Sequence, residues 1–315
     1  MRGMAANRDL PSLGAGLLEE PQLTAALKML ELTVRRKLDG VLQGEHLGLI
    51  PGPGSEPGEA RAYQPGDDVR RMEWSVTART TQPHVRQMIA DRELETWLVV
   101  DASASLDFGT VGCTKRDLAV AAAAAIVHLT TGGGNRHGAI VVTGDDVVRV
   151  PARAGRAHAQ NLLKAIATTR RSAPGVRGDL KAGIEALRRP QRRRGLAVVI
   201  SDFLGPIDWE RSLRAIGAHH ELLAVEVLDP RDLELPAIGE VTLADAESGE
   251  IHDVTVTEDL QRDFAAAARA HQQRVHRTLR SCGGATLSLR TDREWITDTV
   301  KFIAQRRRGL AAGVG

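Results

Sequence analysis

Three apolar runs, TWLVVD (96–101), GLAVVISD (195–202) and ELLAVEVLD (221–229), each end on an aspartate. Few polar residues interrupt them, so a strand built from any of them must be covered on both faces. Helical patterns at 114–131, 157–169 and 180–189 separate the first run from the second, and a glycine triplet, 132–134, follows the first helix. Strands alternating with helices close into a parallel sheet through helical crossovers. HGAIVVTG (137–144) and VVRVPA (147–152) flank two aspartates, which predicts one antiparallel pair within that sheet. Further on, EVTLAD and IHDVTVT form a short hairpin across ESGE. A helix over 258–281, a strand over 285–289 and a helix over 293–308 complete the chain. The expected fold is therefore α/β: doubly wound, mostly parallel, with helices on both faces.

The part before the sheet reads differently. A helix is expected from Leu23 to Leu42, with Leu27, Leu30, Leu32, Val34 and Leu38 among charged positions. A Gly- and Pro-rich stretch follows, in which QPGD places Pro65 and Gly66 at the centre of a type II turn. This predicts residues 1–20 as disordered. Residues 21–95 form an N-terminal helix and an irregular or β segment packed on the sheet domain, and 96–310 form that domain.

Charge and composition remove several functions. Of 315 residues, 42 are Lys or Arg and 40 are Asp or Glu, leaving a formal net charge of +2. That balance supplies no field for nucleic acid or an acidic membrane. Aromatics at 3% are too few for base-stacking platforms. Cys113 and Cys282 lie in no CxxC or Cys/His cluster, which fits free thiols in a reducing compartment. The longest apolar run, LAVAAAAAIV, is ten residues and too short to span a bilayer. A cytoplasmic protein without a membrane span is expected.

In a doubly wound sheet, ligands bind beyond the carboxyl ends of the strands. Asp101 and Asp202 stand at two such ends, and DASAS adds Ser103 and Ser105. Two carboxylates meeting there repel unless a proton or cation lies between them. Hydroxyl and carboxylate oxygens suit a hard divalent ion, Mg²⁺ above all. The competing reading is turn and helix-cap chemistry, for which Ser and Asp are equally favoured.

DASAS resembles the DxSxS motif of the von Willebrand factor A domain, whose metal-ion-dependent adhesion site binds Mg²⁺. Asp202 in VVISDF matches the aspartate of that site's third loop. GDLKAGIEAL (178–187) best matches the second loop, but Gly178 stands where a threonine is usual. Asp179 beside it becomes a further candidate ligand. RAYQPGDDVRRMEWSVTART, SDFLGPIDWE and VLDPRDLELP (227–236) narrow the resemblance to the domain-of-unknown-function 58 family, from about Leu32 to the C-terminal helix. The resemblance implies a von Willebrand factor A-like fold and a MoxR-type AAA+ ATPase as partner. It also implies a non-enzymatic role in maturing or assembling other complexes, through a client protein the sequence does not name.

Arg61, Asp67, Asp68, Arg70 and Arg71 are candidates for a partner-binding surface. The simpler reading makes these charges a polar network that clips the N-terminal segment onto the sheet, anchored by Tyr63 and Trp74. The arginines of RRPQRRRG (188–195) and Arg306 to Arg308 fall at helix ends, where cations complement the dipole. GxSxG, GxxxxGK[ST] and GxGxxG motifs are absent from the sequence. The alternative function is a metal-dependent hydrolase of a phosphate or ester, using Asp101 and Asp202.

Overall fold

The structure, a computed structural model, describes residues 7, 10–13, 18–42, 60–63, 72, 74–86, 94–131, 134–144, 146–170, 176–187, 195–244 and 249–312. The predicted turn at Pro65 and Gly66, the candidates Asp67, Asp68, Arg70 and Arg71, and the arginines of 188–194 lie outside these residues.

The three apolar runs form the centre of one six-stranded sheet. Its strands are β3 (Glu95–Asp101), β4 (Arg136–Val142), β5 (Val147–Arg153), β6 (Gly195–Ser201), β7 (Glu221–Leu228) and β10 (Gly284–Arg290). The order is β10-β7-β6-β3-β4-β5, parallel throughout except for β5, which pairs antiparallel with β4. In β3, β4 and β6 every residue but the first is buried, as an unalternating apolar pattern demands. The chain leaves β3 for β4 on one side and later returns as β6 on the other. The topological switch point therefore lies between β3 and β6.

Two apolar layers sandwich the sheet. One is centred on α3 (Lys115–Thr130), whose alanines Ala121 to Ala125 are all buried and let the helix lie close to the strands. Thr114 caps α3 reciprocally with Asp117, satisfying the backbone donors at its start. Over α3 lies α1 (Glu20–Leu42), which buries Leu23, Leu30, Val34 and Leu38. Leu32 falls off that stripe and is 51% exposed. The other layer is built by α5 (Leu180–Leu187), α6 (Glu210–Gly217) and α7 (Glu258–Ser281). α4 (Arg156–Thr168) and α8 (Trp295–Ala312) complete the first layer. A separate hairpin joins β8 (Glu240–Ala244) to β9 (Ile251–Thr255).

Two expectations about the N-terminal part need correction. Residues 1–20 were expected to lack structure, yet among those described Asn7, Leu10 and Leu13 are buried. The Leu13 N–H donates to Asp117 Oδ1 at 2.8 Å, while Asn7 Nδ2 donates to the Thr291 carbonyl at 3.0 Å. Leu10 and Leu13 find apolar surface beside α3, which offsets the cost of ordering them. Trp74 was expected to anchor a clip, but it is 69% exposed. It opens α2 (Trp74–Thr80), a helix with no buried residue, beside a two-stranded ladder of β1 (Ala60–Ala62) and β2 (His84–Arg86). Arg61 pairs with Val85 in that ladder.

Candidate metal and partner-binding site

The predicted site assembles at the switch point. Asp101 is the last residue of β3, and Asp202 follows the last residue of β6, its direct neighbour. A cleft of about 500 Å³ opens there, lined among others by Asp101, Gly178, Asp179, Ser201, Asp202 and Trp209. Ser103 is buried and Ser105 half-buried in the turn that leaves β3.

Local hydrogen bonds set each side chain. Asp101 Oδ1 accepts from the Ser103 N–H at 2.9 Å, so the carboxylate folds the DASAS turn back on itself. Its Oδ2 accepts from the Ser201 hydroxyl at 2.7 Å. Ser103 Oγ and Ser105 Oγ stand 3.1 Å apart. Burial and the nearby charge of Asp202 hold the Asp101 carboxyl above the usual carboxylate range. The turn ends in a 3-10 segment, Ala104–Asp107, held by Arg116. Its Nε donates to Asp107 Oδ1 at 2.5 Å and its Nη2 to the Ala102 carbonyl at 3.0 Å.

Asp202 is placed from behind. The buried Lys115 Nζ donates to Asp202 Oδ2 at 2.8 Å and forms a second ion pair with Asp232 at 3.1 Å. Burial pulls the Lys115 ammonium down, but the two carboxylates outweigh it and hold its pKa above the ordinary lysine value. Asp202 Oδ1 accepts from the Leu204 N–H at 3.2 Å. Phe203, next in the chain, has φ +53, a left-handed conformation that costs a residue with a Cβ. Its ring packs edge-on against Trp209 and its carbonyl bonds His271 Nε2 at 2.8 Å, which together hold the strained loop.

The second loop comes in as bare backbone. A Cβ on Gly178 would lie 2.7 Å from Ser103 Cβ and 3.2 Å from Ser103 Oγ; one on Gly144 would lie 2.6 Å from the Arg177 carbonyl. Glycine at 178 therefore lets the second loop close on the first, rather than leaving room where a threonine would fit. Asp179 is exposed, and its Oδ1 accepts from the Ala182 N–H at 2.8 Å as the cap of α5.

The donor set suits a hard divalent ion. Two hydroxyl oxygens 3.1 Å apart match the roughly 3.0 Å between adjacent ligands of an octahedron with Mg–O bonds of about 2.1 Å. A buried carboxylate facing a second one is a place where a cation relieves repulsion. The acidic members differ, however: Asp202 is already paired with the Lys115 ammonium, whereas both Asp101 oxygens accept only from neutral donors, and Gly178 offers no side-chain oxygen.

The structure brings the predicted Asp101, Ser103, Ser105 and Asp202 to one strand edge and places beside them Lys115, Arg116 and Asp232, which sequence reasoning did not single out. A signal for Lys115 and Arg116 was present: TKRDLAVAAAAAIV opens an apolar helix with Lys and Arg, against the helix dipole. Cations at that end are held by something else.

A mostly parallel sheet with a DxSxS turn after its central strand defines an α/β protein of the von Willebrand factor A-like class. A family model described as "Protein of unknown function DUF58" matches residues 59–274, and the chain belongs to that family. It is similar to uncharacterized proteins of Mycobacterium tuberculosis and Mycobacterium bovis, 66% identical over 303 residues that cover 96% of each chain. Among solved structures, BatB from Bacteroides thetaiotaomicron is 15% identical with a TM-score of 0.39, covering 68% of this chain and 99% of its own. The SpRpn10 VWA domain is 12% identical with a TM-score of 0.36, covering 66% and 94%.

Proposed function

We propose that the protein is a non-enzymatic binding protein whose site holds Mg²⁺ through Asp101, Ser103 and Ser105, with Asp202 beside them and Asp179 at the rim. The observation that carries this reading is the convergence of two serine hydroxyls and a buried carboxylate of raised pKa at the switch point. When bound, such an ion supplies a hard Lewis-acid position that an anionic oxygen prefers to a neutral one. The chain's own residues orient and exclude. Ser201 and the Ser103 N–H aim the Asp101 carboxylate, Arg116 fixes the turn, and Phe203 with Trp209 walls the third loop.

A carboxylate from a partner protein fills the open position in this proposal. The working partner is a MoxR-type AAA+ ATPase in the cytoplasm, and the outcome is maturation or assembly of a client complex. The family resemblance supports the partner. That no helix among the described residues is long and apolar enough to cross a membrane is compatible with the compartment.

The test is capture of the co-expressed ATPase by the full chain, with Mg²⁺ or with a chelator. Retention with Mg²⁺ and loss with the chelator is expected. Equal capture in both would end the metal-dependent reading, and turnover of a phosphate or ester by the Mg²⁺-loaded protein would favour the hydrolase.

A further inference from the structure

We infer that Lys115 is a built-in competitor for the metal, withholding Asp202 from direct ligation so that Asp101 is left as the anionic ligand. This rests on the metal-binding reading above and adds to it a determinant of affinity. Three observations carry it. Lys115 is 1% exposed, so its charge is balanced by protein groups rather than by water. Its Nζ sits 2.8 Å from Asp202 Oδ2, and the other oxygen of that carboxylate takes the Leu204 N–H. The ammonium is also held from the far side, by Asp232 at 3.1 Å and by the Phe108 ring 6.0 Å away.

The far side explains why the lysine stays. Asp232 belongs to the VLDPRD segment that closes β7. Asp229 of that segment accepts from the Thr110 N–H at 2.8 Å, from the Thr110 hydroxyl at 2.7 Å and from the Thr291 hydroxyl at 2.6 Å. Asp229 and Asp232 also cap one another's turn. The segment is therefore rigid, and it presents a fixed carboxylate to Lys115. A divalent ion seeking Asp202 must displace a cation anchored by two carboxylates, or settle for Asp101 and the two serine hydroxyls. The second arrangement carries less negative charge around the ion, so it holds metal more weakly. It also leaves more of the ion's charge for a carboxylate supplied by a partner.

The experiment is calorimetric titration of Mg²⁺ alone into the full chain, as wild type, Lys115→Met and Lys115→Met with Asp232→Asn. The single variant leaves both Asp202 and Asp232 without their cation; the double variant guards against misfolding by removing one of those two charges, so that Asp202 alone remains for the metal to balance. Circular dichroism and the melting temperature establish that each variant is folded. The inference expects Mg²⁺ to bind at least ten-fold more tightly in the folded variants than in wild type, including the case where wild type binds too weakly to measure. Wild-type binding with unchanged or weaker binding in the variants overturns the inference and leaves the metal site standing. No Mg²⁺ binding by wild type or either variant overturns both.

Discussion

At the scale of single residues the site is governed by one unbalanced carboxylate. The Asp101 pKa is raised in the folded protein, so folding favours its protonated form. Its stabilising contribution is complete below the unfolded carboxylate pKa and is lost as pH rises through the folded value. Asp101→Asn removes the titration and keeps the hydrogen bonds: the amide oxygen accepts from the Ser103 N–H and the amide nitrogen donates to Ser201 Oγ. In chelator at pH 7.5 this variant is expected to melt at or above wild type, with the gap closing near pH 4, and to fail to capture the ATPase. Melting curves across pH and the capture assay check both halves; a variant that captures normally would move docking away from DASAS. Gly178 leads to the opposite result from the one its missing side chain invites. A threonine there meets Ser103 Cβ at 2.7 Å, so Gly178→Thr is expected to cost about 1–3 kcal/mol in denaturant melts and to weaken Mg²⁺ binding.

At the scale of elements, α7 is docked by a polar cluster as much as by its apolar stripe of Val275 and Leu279. The buried Glu226 on β7 accepts from Ser288 at 2.7 Å, from His276 at 3.0 Å and from Gln272 at 3.1 Å. The hydrogen bond to Glu226 raises the His276 pKa despite its partial burial. A raised histidine pKa contributes stability that is present below the unfolded value of about 6.5 and lost as pH rises through the folded one. Wild type is therefore expected to lose stability over that window, and His276→Gln, which keeps a donor but cannot titrate, to flatten the loss. Urea melts from pH 5.5 to 8.5 read the difference; parallel curves would mean that the pair is not coupled to folding. Both residues of this pair were legible as letters and not as partners, because they come from elements 50 positions apart.

At the scale of the whole molecule, both cysteines are buried free thiols. Burial first, and then the charge of Asp117, push Cys113 up to about 12. A thiol held in that state is a poor nucleophile, since the thiolate is the reactive form. Alkylation of Cys113 in the native protein is expected to track global unfolding, so labelling should accelerate with urea along the same curve as the loss of circular dichroism. Rapid labelling without denaturant would mean that the contacts of Asn7 and Thr291 around that sulfur open locally.

What the sequence determined by itself is everything written in local periodicity. The apolar runs specified buried strands, their interruptions specified crossovers, and two strand-end aspartates marked the C-terminal edge. Those features depend on residues close in the chain, where spacing fixes which face a side chain takes. The β8–β9 hairpin, the antiparallel β5 and the span of α7 were read correctly for that reason. Tertiary structure alone decided what stands behind the aspartates. Lys115 reaches Asp202 across 87 positions and Asp232 across 117, and no spacing rule links them. It also decided that Leu10 and Leu13 pack while Trp74 does not, because burial depends on whether a neighbouring element offers apolar surface. Hydrophobicity states what a side chain gains from cover; only the fold supplies the cover.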